Sequence, residues 1–145
     1  ANAGKANEAI EFYTRIFKDS EIEDISRYEK GEHDVEGYIK YSQFRLGNKT
    51  FSAMDSSGPH QFIFNEGVSL VVPCNTQEEI DYYWEELSAG GSEGQCGWLK
   101  DKFGVSWQIV PQSLGKLMSD KERQGRVMPV LMKMKKLEIE KLENA

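Results

Sequence analysis

Apolar positions along the 145-residue chain change period several times, and each change marks an element. Ala9, Ile10, Phe12, Tyr13, Ile16 and Phe17 fall at helical spacing, so a helix is predicted from about Ala6 to Phe17, with Asn7 as its cap. Lys18-Asp19-Ser20 turns the chain, and Glu21 to Glu29, carrying Ile22, Ile25 and Tyr28, reads as a strand. After turn residues at 31–34, Gly37 to Leu46 alternates. Tyr38, Lys40, Ser42, Phe44 and Leu46 fall on one face; Ile39, Tyr41, Gln43 and Arg45 fall on the other. Gly47-Asn48 makes a tight turn, and Lys49 to Asp55 completes a hairpin.

Breakers at Ser57-Gly58-Pro59 and Asn65-Glu66-Gly67 make 56–67 a loop, yet Phe62, Ile63 and Phe64 lie inside it, so it is expected to cover something apolar. The pattern then restarts. Val68 to Cys74 is a short apolar run typical of a buried strand. Thr76 and Glu79 form a capping box, and Ile80, Tyr83, Trp84 and Leu87 make the core-facing stripe of the next helix. Gly90-Gly91 stops that helix. Gln95 to Lys100 and Val105 to Val110 read as strands around the turn 101–104. From Gln112 the tail is helical with interruptions. Val127, Val130, Leu131 and Met134 form a stripe, Pro129 must begin or kink a helix, and Leu137, Ile139 and Leu142 dock the last turns. Lys133, Lys135 and Lys136 read as a solvated helix face near a helix end.

Helix and three strands, then strand, helix and two visible strands, resemble two copies of one βαβββ unit. Such a repeat predicts paired modules sharing a cavity. The expected organisation is a single domain over 1–145: module one about 5–56, linker 57–67, module two 68–111, helical tail 112–145.

The net charge of −6 and a pI near 5.0 argue against nucleic acid and against an anionic membrane surface, both of which select basic faces. No apolar run approaches the ~20 residues of a spanning helix, no signal peptide is visible, and Cys74 and Cys96 make neither a CxxC pair nor a disulfide framework. A cytoplasmic location is therefore expected. Ala1-Asn2-Ala3 reads as a cloning remnant.

Several blocks are familiar. The run 5–13 (Lys5-Ala6-Asn7-Glu8-Ala9-Ile10-Glu11-Phe12-Tyr13), the segment Cys74 to Glu79, the long block Cys96 to Pro111, and the tail pieces Arg126-Val127-Met128 and 132–136 resemble PhnB-like proteins. These form a branch of the vicinal-oxygen-chelate (glyoxalase, bleomycin-resistance, dioxygenase) superfamily that carries the domain label 3-demethylubiquinone-9 3-methyltransferase. The resemblance implies an α+β fold of paired βαβββ modules, with cup-shaped mixed sheets, a C-terminal helical tail and a homodimer. It also implies an apolar strand before the first helix, where this chain shows Ala1-Asn2-Ala3-Gly4.

Metal-using members of that superfamily place His, Gln or Glu at four strand positions. By resemblance the second slot falls near Met54 or Asp55, the third near Ser69 and the fourth on Gln108. Serine and amide are poor ligands for a transition metal, so Asp55 and Gln108 are only weak metal candidates and no cofactor is expected, a divalent metal being the alternative. The histidines, His33 and His60, lie in loops, and no nucleophile–base pair stands out. Ala89 to Gly94 is glycine-rich but comes after a helix, so it reads as a helix stop and not as a cradle for S-adenosylmethionine. What is left is an apolar cup lined by Phe44, Met54, Ser69, Trp98, Ser106 and Gln108, with Phe62 and Phe64 as a lid and Trp107 packed beneath the sheet. The expected function is binding of a small hydrophobic or planar ligand without metal. The alternatives are a divalent-metal lyase, isomerase or dioxygenase, and the methyltransferase of the family label.

Overall fold

The computed structural model describes residues 2–145. They divide into two compact units, one running to Ile63 and one spanning Phe64–Ala145, a boundary inside the expected linker. Ala1, the first residue of the expected remnant, lies outside the described residues.

The first unit begins with helix α1 (Ala6–Ile16), followed by an antiparallel sheet of β1 (Ser20–Arg27), β2 (Ile39–Leu46) and β3 (Lys49–Phe51) in that spatial order. Helix α1 buries Ala6, Ile10, Phe12, Tyr13 and Ile16 and lies against β1 and β2. Asn7 is not its cap: it sits inside the first turn, donating to Glu11 (3.0 Å) and accepting from Arg27 (2.6 Å). The start of the helix is instead held by Asp55, whose Oδ1 accepts the Ala6 N–H at 3.0 Å. A carboxylate there also meets the positive end of the helix dipole.

Strict alternation on β2 does not survive either. Glu23 on β1 and Lys40 on β2 each lack an opposite residue, so the register slips twice. Each bulge inverts the facing of the residues beyond it. Ile39 thereby joins Ser42, Phe44 and Leu46 on the buried face, and Ile22 and Ile25, three apart, point the same way. The Gly47-Asn48 hairpin forms as read, with Leu46 opposite Lys49. Its return strand is shorter than the expected Lys49–Asp55. Beyond Phe51 pairing continues through a two-way exchange between Ala53 and Ser42 Oγ (2.6 and 3.0 Å) and a bond from the Asp55 N–H to the Ile39 carbonyl (2.8 Å).

The second unit contains β4 (Ser69–Cys74), α2 (Gln77–Ser88), β5 (Ser92–Glu93), β6 (Trp98–Lys100) and β7 (Ser106–Pro111). The two-residue β5 is the strand that the sequence pattern hides behind its glycines. The sheet order is β4-β7-β6-β5, with β4 parallel to β7 and the other pairs antiparallel. So β4 is an edge strand, not a fully buried one. Val71 is exposed and Pro73 sits where a missing N–H is tolerated. In α2, Thr76 Oγ1 accepts the Glu79 N–H (3.2 Å), but Glu79 reaches past Thr76 to the Asn75 N–H (3.3 Å). Ile80, Trp84 and Leu87 are buried beside Leu99, Trp107 and Ile109 from the facing strands.

Past β7 come α3 (Leu114–Leu117), α4 (Lys121–Leu131) and α5 (Ile139–Glu143). Asp120 caps α4 by accepting the Arg123 N–H at 2.7 Å, and Pro129 lies inside the helix, which ends two residues later. Leu117, Val127, Leu131, Met134, Leu137 and Leu142 form one buried cluster. The turn after α4 docks on the sheet: the Cys96 and Gly97 N–H groups donate to the carbonyls of Met134 and Lys135, both at 2.8 Å. Both donors adopt positive φ (59° and 83°), a strained choice for Cys96 that those two bonds offset. No helix of the described residues is long and apolar enough to cross a membrane.

Candidate functional site

Strand registers sort the second unit's residues by face. Ser69 lies opposite Ser106 and Val71 opposite Gln108; across the sheet, Lys100 lies opposite Ser106 and Trp98 opposite Gln108. With a side-chain period of two, these residues share the face turned away from α2. Trp107 takes the other face as expected. It is 3% exposed, and its Nε1–H donates to Asp101 Oδ2 at 2.9 Å.

Four of the expected lining residues therefore come together. Gln108 Nε2 donates to Ser69 Oγ at 2.9 Å, so the third and fourth ligand slots of metal-using relatives are closed on one another. Trp98 is half-buried and, with Ser106, Lys100, Glu66 and Ser92, lines a depression of about 260 Å³. Lys100 forms an ion pair with Glu66 at its rim, which lowers the pKa of Glu66 from its ordinary value, mainly through the hydrogen bond from Lys100. Ser106 is the unusual member. It is 1% exposed, and its Oγ has no hydrogen-bond partner among the described residues. A buried hydroxyl left unpaired costs on the order of 1–3 kcal/mol.

Phe44 and Asp55 serve the fold of their own unit, whereas Met54, Phe62 and Phe64 are exposed. Phe44 is 4% exposed and stacks on Phe51 with ring centroids 5.8 Å apart. Asp55 uses Oδ1 for Ala6 and Oδ2 for the Ile39 N–H (2.9 Å), so both carboxylate oxygens are committed to backbone. Met54 and Phe62 in the first unit are 65% and 76% exposed. Phe64, also exposed, belongs to the second unit and lies beside Gly104. His60 bonds Ser56 Oγ (3.0 Å) and packs on Phe62; His33 bonds the Tyr28 hydroxyl (3.3 Å). No group of three or more His, Cys, Asp or Glu among the described residues is arranged to hold a metal ion. Of the slots carried over from metal-using relatives, two are an amide and a hydroxyl bonded together and Asp55 is spent on backbone, so these three residues are poor donors for one.

Burial pushes the Cys74 thiol up to about 12, with Glu79 adding to the effect, so at neutral pH it is no nucleophile. The glycine run also has a packing role. A Cβ on Gly91 would lie 2.0 Å from the Lys100 carbonyl oxygen, so this glycine is required by the close approach of β6. Sequence reasoning missed Asp101, which looks like an ordinary turn residue. Buried, it gathers the N–H groups of Phe103 and Val105 and the indole of Trp107 at 2.9–3.0 Å.

The sheet orders, the helices packed on them and the tail define a PhnB-like chain with a glyoxalase-like α+β fold. Within that class, the chain belongs to the family described as 3-demethylubiquinone-9 3-methyltransferase, whose pattern matches residues 2–110. A solved structure of the PhnB protein from Bacillus cereus is 39% identical, over 75% of this chain and 92% of that one, with a TM-score of 0.72. Protein PA1353 from Pseudomonas aeruginosa shares the fold at 18% identity, covering 76% of this chain and 91% of its own, with a TM-score of 0.65. No curated protein matches the chain.

Proposed function

We propose that the open face of β4, β7 and β6 binds a small planar molecule without the help of a metal ion. The buried, unpartnered Ser106 hydroxyl carries this reading, because a ligand polar group would recover the hydrogen bond that folding leaves unmade. Trp98 supplies a flat apolar wall beside it, and Lys100, paired with Glu66, supplies N–H donors at the rim. A flat ring bearing oxygen fits those three groups. The family description, which names a demethylubiquinone, concerns a ring of that kind. Methyl transfer itself has no support from the glycine run, which packs against β6 and does not cradle a cofactor.

The probe is 4-hydroxybenzoate, followed by the three tryptophan indole N–H signals in nuclear magnetic resonance. Trp107 donates to the buried Asp101 and so reports on the helix face, Trp98 reports on the open one, and Trp84 donates to Glu93, which itself lines the depression. The Trp98 signal is expected to move with saturation while Trp107 stays still, and Ser106→Ala is expected to weaken binding by about tenfold, roughly one hydrogen bond. Equal movement of all three signals, or unchanged affinity in the variant, defeats the reading. So does a stoichiometric divalent ion retained by the dialysed protein.

A further inference from the structure

Charge is unevenly divided along the chain. Residues 112–145 carry eight Lys or Arg against five Asp or Glu, whereas residues 1–111 carry ten against nineteen. The excess of the tail gathers at one place. The lysines that sequence periodicity puts on a helix face stand instead in the non-helical turn between α4 and α5. Lys133, Lys135 and Lys136 line a hollow of about 390 Å³ together with Glu138 and with Lys141 of α5, its apolar floor being Pro129, Val130 and Met134.

Two of the four are neutralised. Lys136 pairs with Asp81 on α2, and Lys141 pairs with Glu138, both at 2.8 Å. Lys133 and Lys135 are exposed and form no ion pair among the described residues. The turn that bears them is held from two sides. Its Met134 and Lys135 carbonyls accept from Cys96 and Gly97. The Gln77 side chain donates to the Leu137 carbonyl (3.0 Å) and accepts the Ile139 N–H (2.9 Å). A backbone fixed in this way presents its cations without a further ordering cost on binding.

From this arrangement we infer a second binding site, in the tail hollow, for a small multivalent oxyanion of the phosphate or carboxylate kind. Its charge would sit between Lys133 and Lys135, and the apolar floor would take a carbon chain attached to it. A small anion is favoured over a polynucleotide or an anionic membrane because the remaining 111 residues carry a net −9, which a large polyanion would also meet.

Titration of the whole 15N-labelled chain with inorganic pyrophosphate, and separately with citrate, tests the site. Saturable shifts confined to residues 129–141 and weakened by added salt are expected. The tighter of the two probes assigns phosphoryl or carboxylate chemistry. The double variant Lys133→Gln/Lys135→Gln should bind about tenfold more weakly, while Lys116→Gln/Lys121→Gln, which removes the same charge elsewhere in the tail, should bind as the parent does. Equal weakening in both variants overturns the site, as do shifts spread evenly over the tail lysines or titrations that never saturate. The localisation of the shifts in the parent chain remains decisive even where a variant folds poorly.

Discussion

At the scale of single residues, the most consequential side chains are short polar ones whose role depends on partners far along the chain. Asp55 ties the start of α1, 49 positions upstream, to β2. Ser42 both donates to and accepts from Ala53 (2.6 and 3.0 Å), and Asp101 organises its own turn and a tryptophan. Because Asp55 is 6% exposed, Asp55→Ala leaves two buried N–H groups unpaired, and a loss of about 3 kcal/mol is expected in urea unfolding. Asp55→Asn retains one acceptor and should lose less. Equal stability of the alanine variant and the parent would remove the latch from the account. The sequence offered no hint of it, since an aspartate after a strand is commonplace, and its nearest apparent use was as a metal ligand.

At the scale of elements, periodicity read the helices well and the strands less well. Of the stripe Ile80, Tyr83, Trp84 and Leu87 all but the half-buried Tyr83 are buried; in the tail Val127, Leu131 and Met134 are buried and Val130 is half-buried, with Met134 already beyond the end of α4. Bulges at Glu23 and Lys40 defeated the strand reading, because one extra residue inverts every later facing and nothing in the local composition announces it. The two-residue β5 was too short to show a period at all. The docking of α5 likewise depends on one amide. Gln77→Ala removes a donor to Leu137 and an acceptor for Ile139, so the Ile139 amide should lose hydrogen-exchange protection, with a cost of about 1–2 kcal/mol. Gln77→Glu retains the acceptor but sets a carboxylate near Asp81, and should release the Leu137 side first. Unaltered exchange in both variants would mean that the leucine cluster alone holds the tail.

At the scale of the whole molecule, two features ask for a partner. Strand β4 has an open edge, and beside it Val68 and Val71 are exposed at 77% and 55%. An exposed strand edge bearing apolar side chains is an invitation to pairing. We propose that a second copy of the chain covers it. Sedimentation equilibrium should then report twice the 16.6 kDa chain mass, and Val71→Lys should shift the balance toward single chains. A monomer at every concentration would leave that edge to some other cover.

What the sequence determined by itself was the order and kind of most elements, which rest on periodicity and breaker residues and so on local properties, and, through the resemblance of its motif blocks, the family to which the chain belongs. The resemblance brought Ser69 and Gln108 into view as the places of relatives' metal ligands, and Trp98 and Ser106 were named with them as lining residues. Only the tertiary structure decided what those residues do together. The Gln108 amide is closed on Ser69, the Ser106 hydroxyl is left without a partner, and Asp55 and Phe44 are consumed by packing. Hydrogen bonds between strands and across 39 or 49 positions depend on register and bulges, which arise when strands pair and are not encoded in any single stretch of chain.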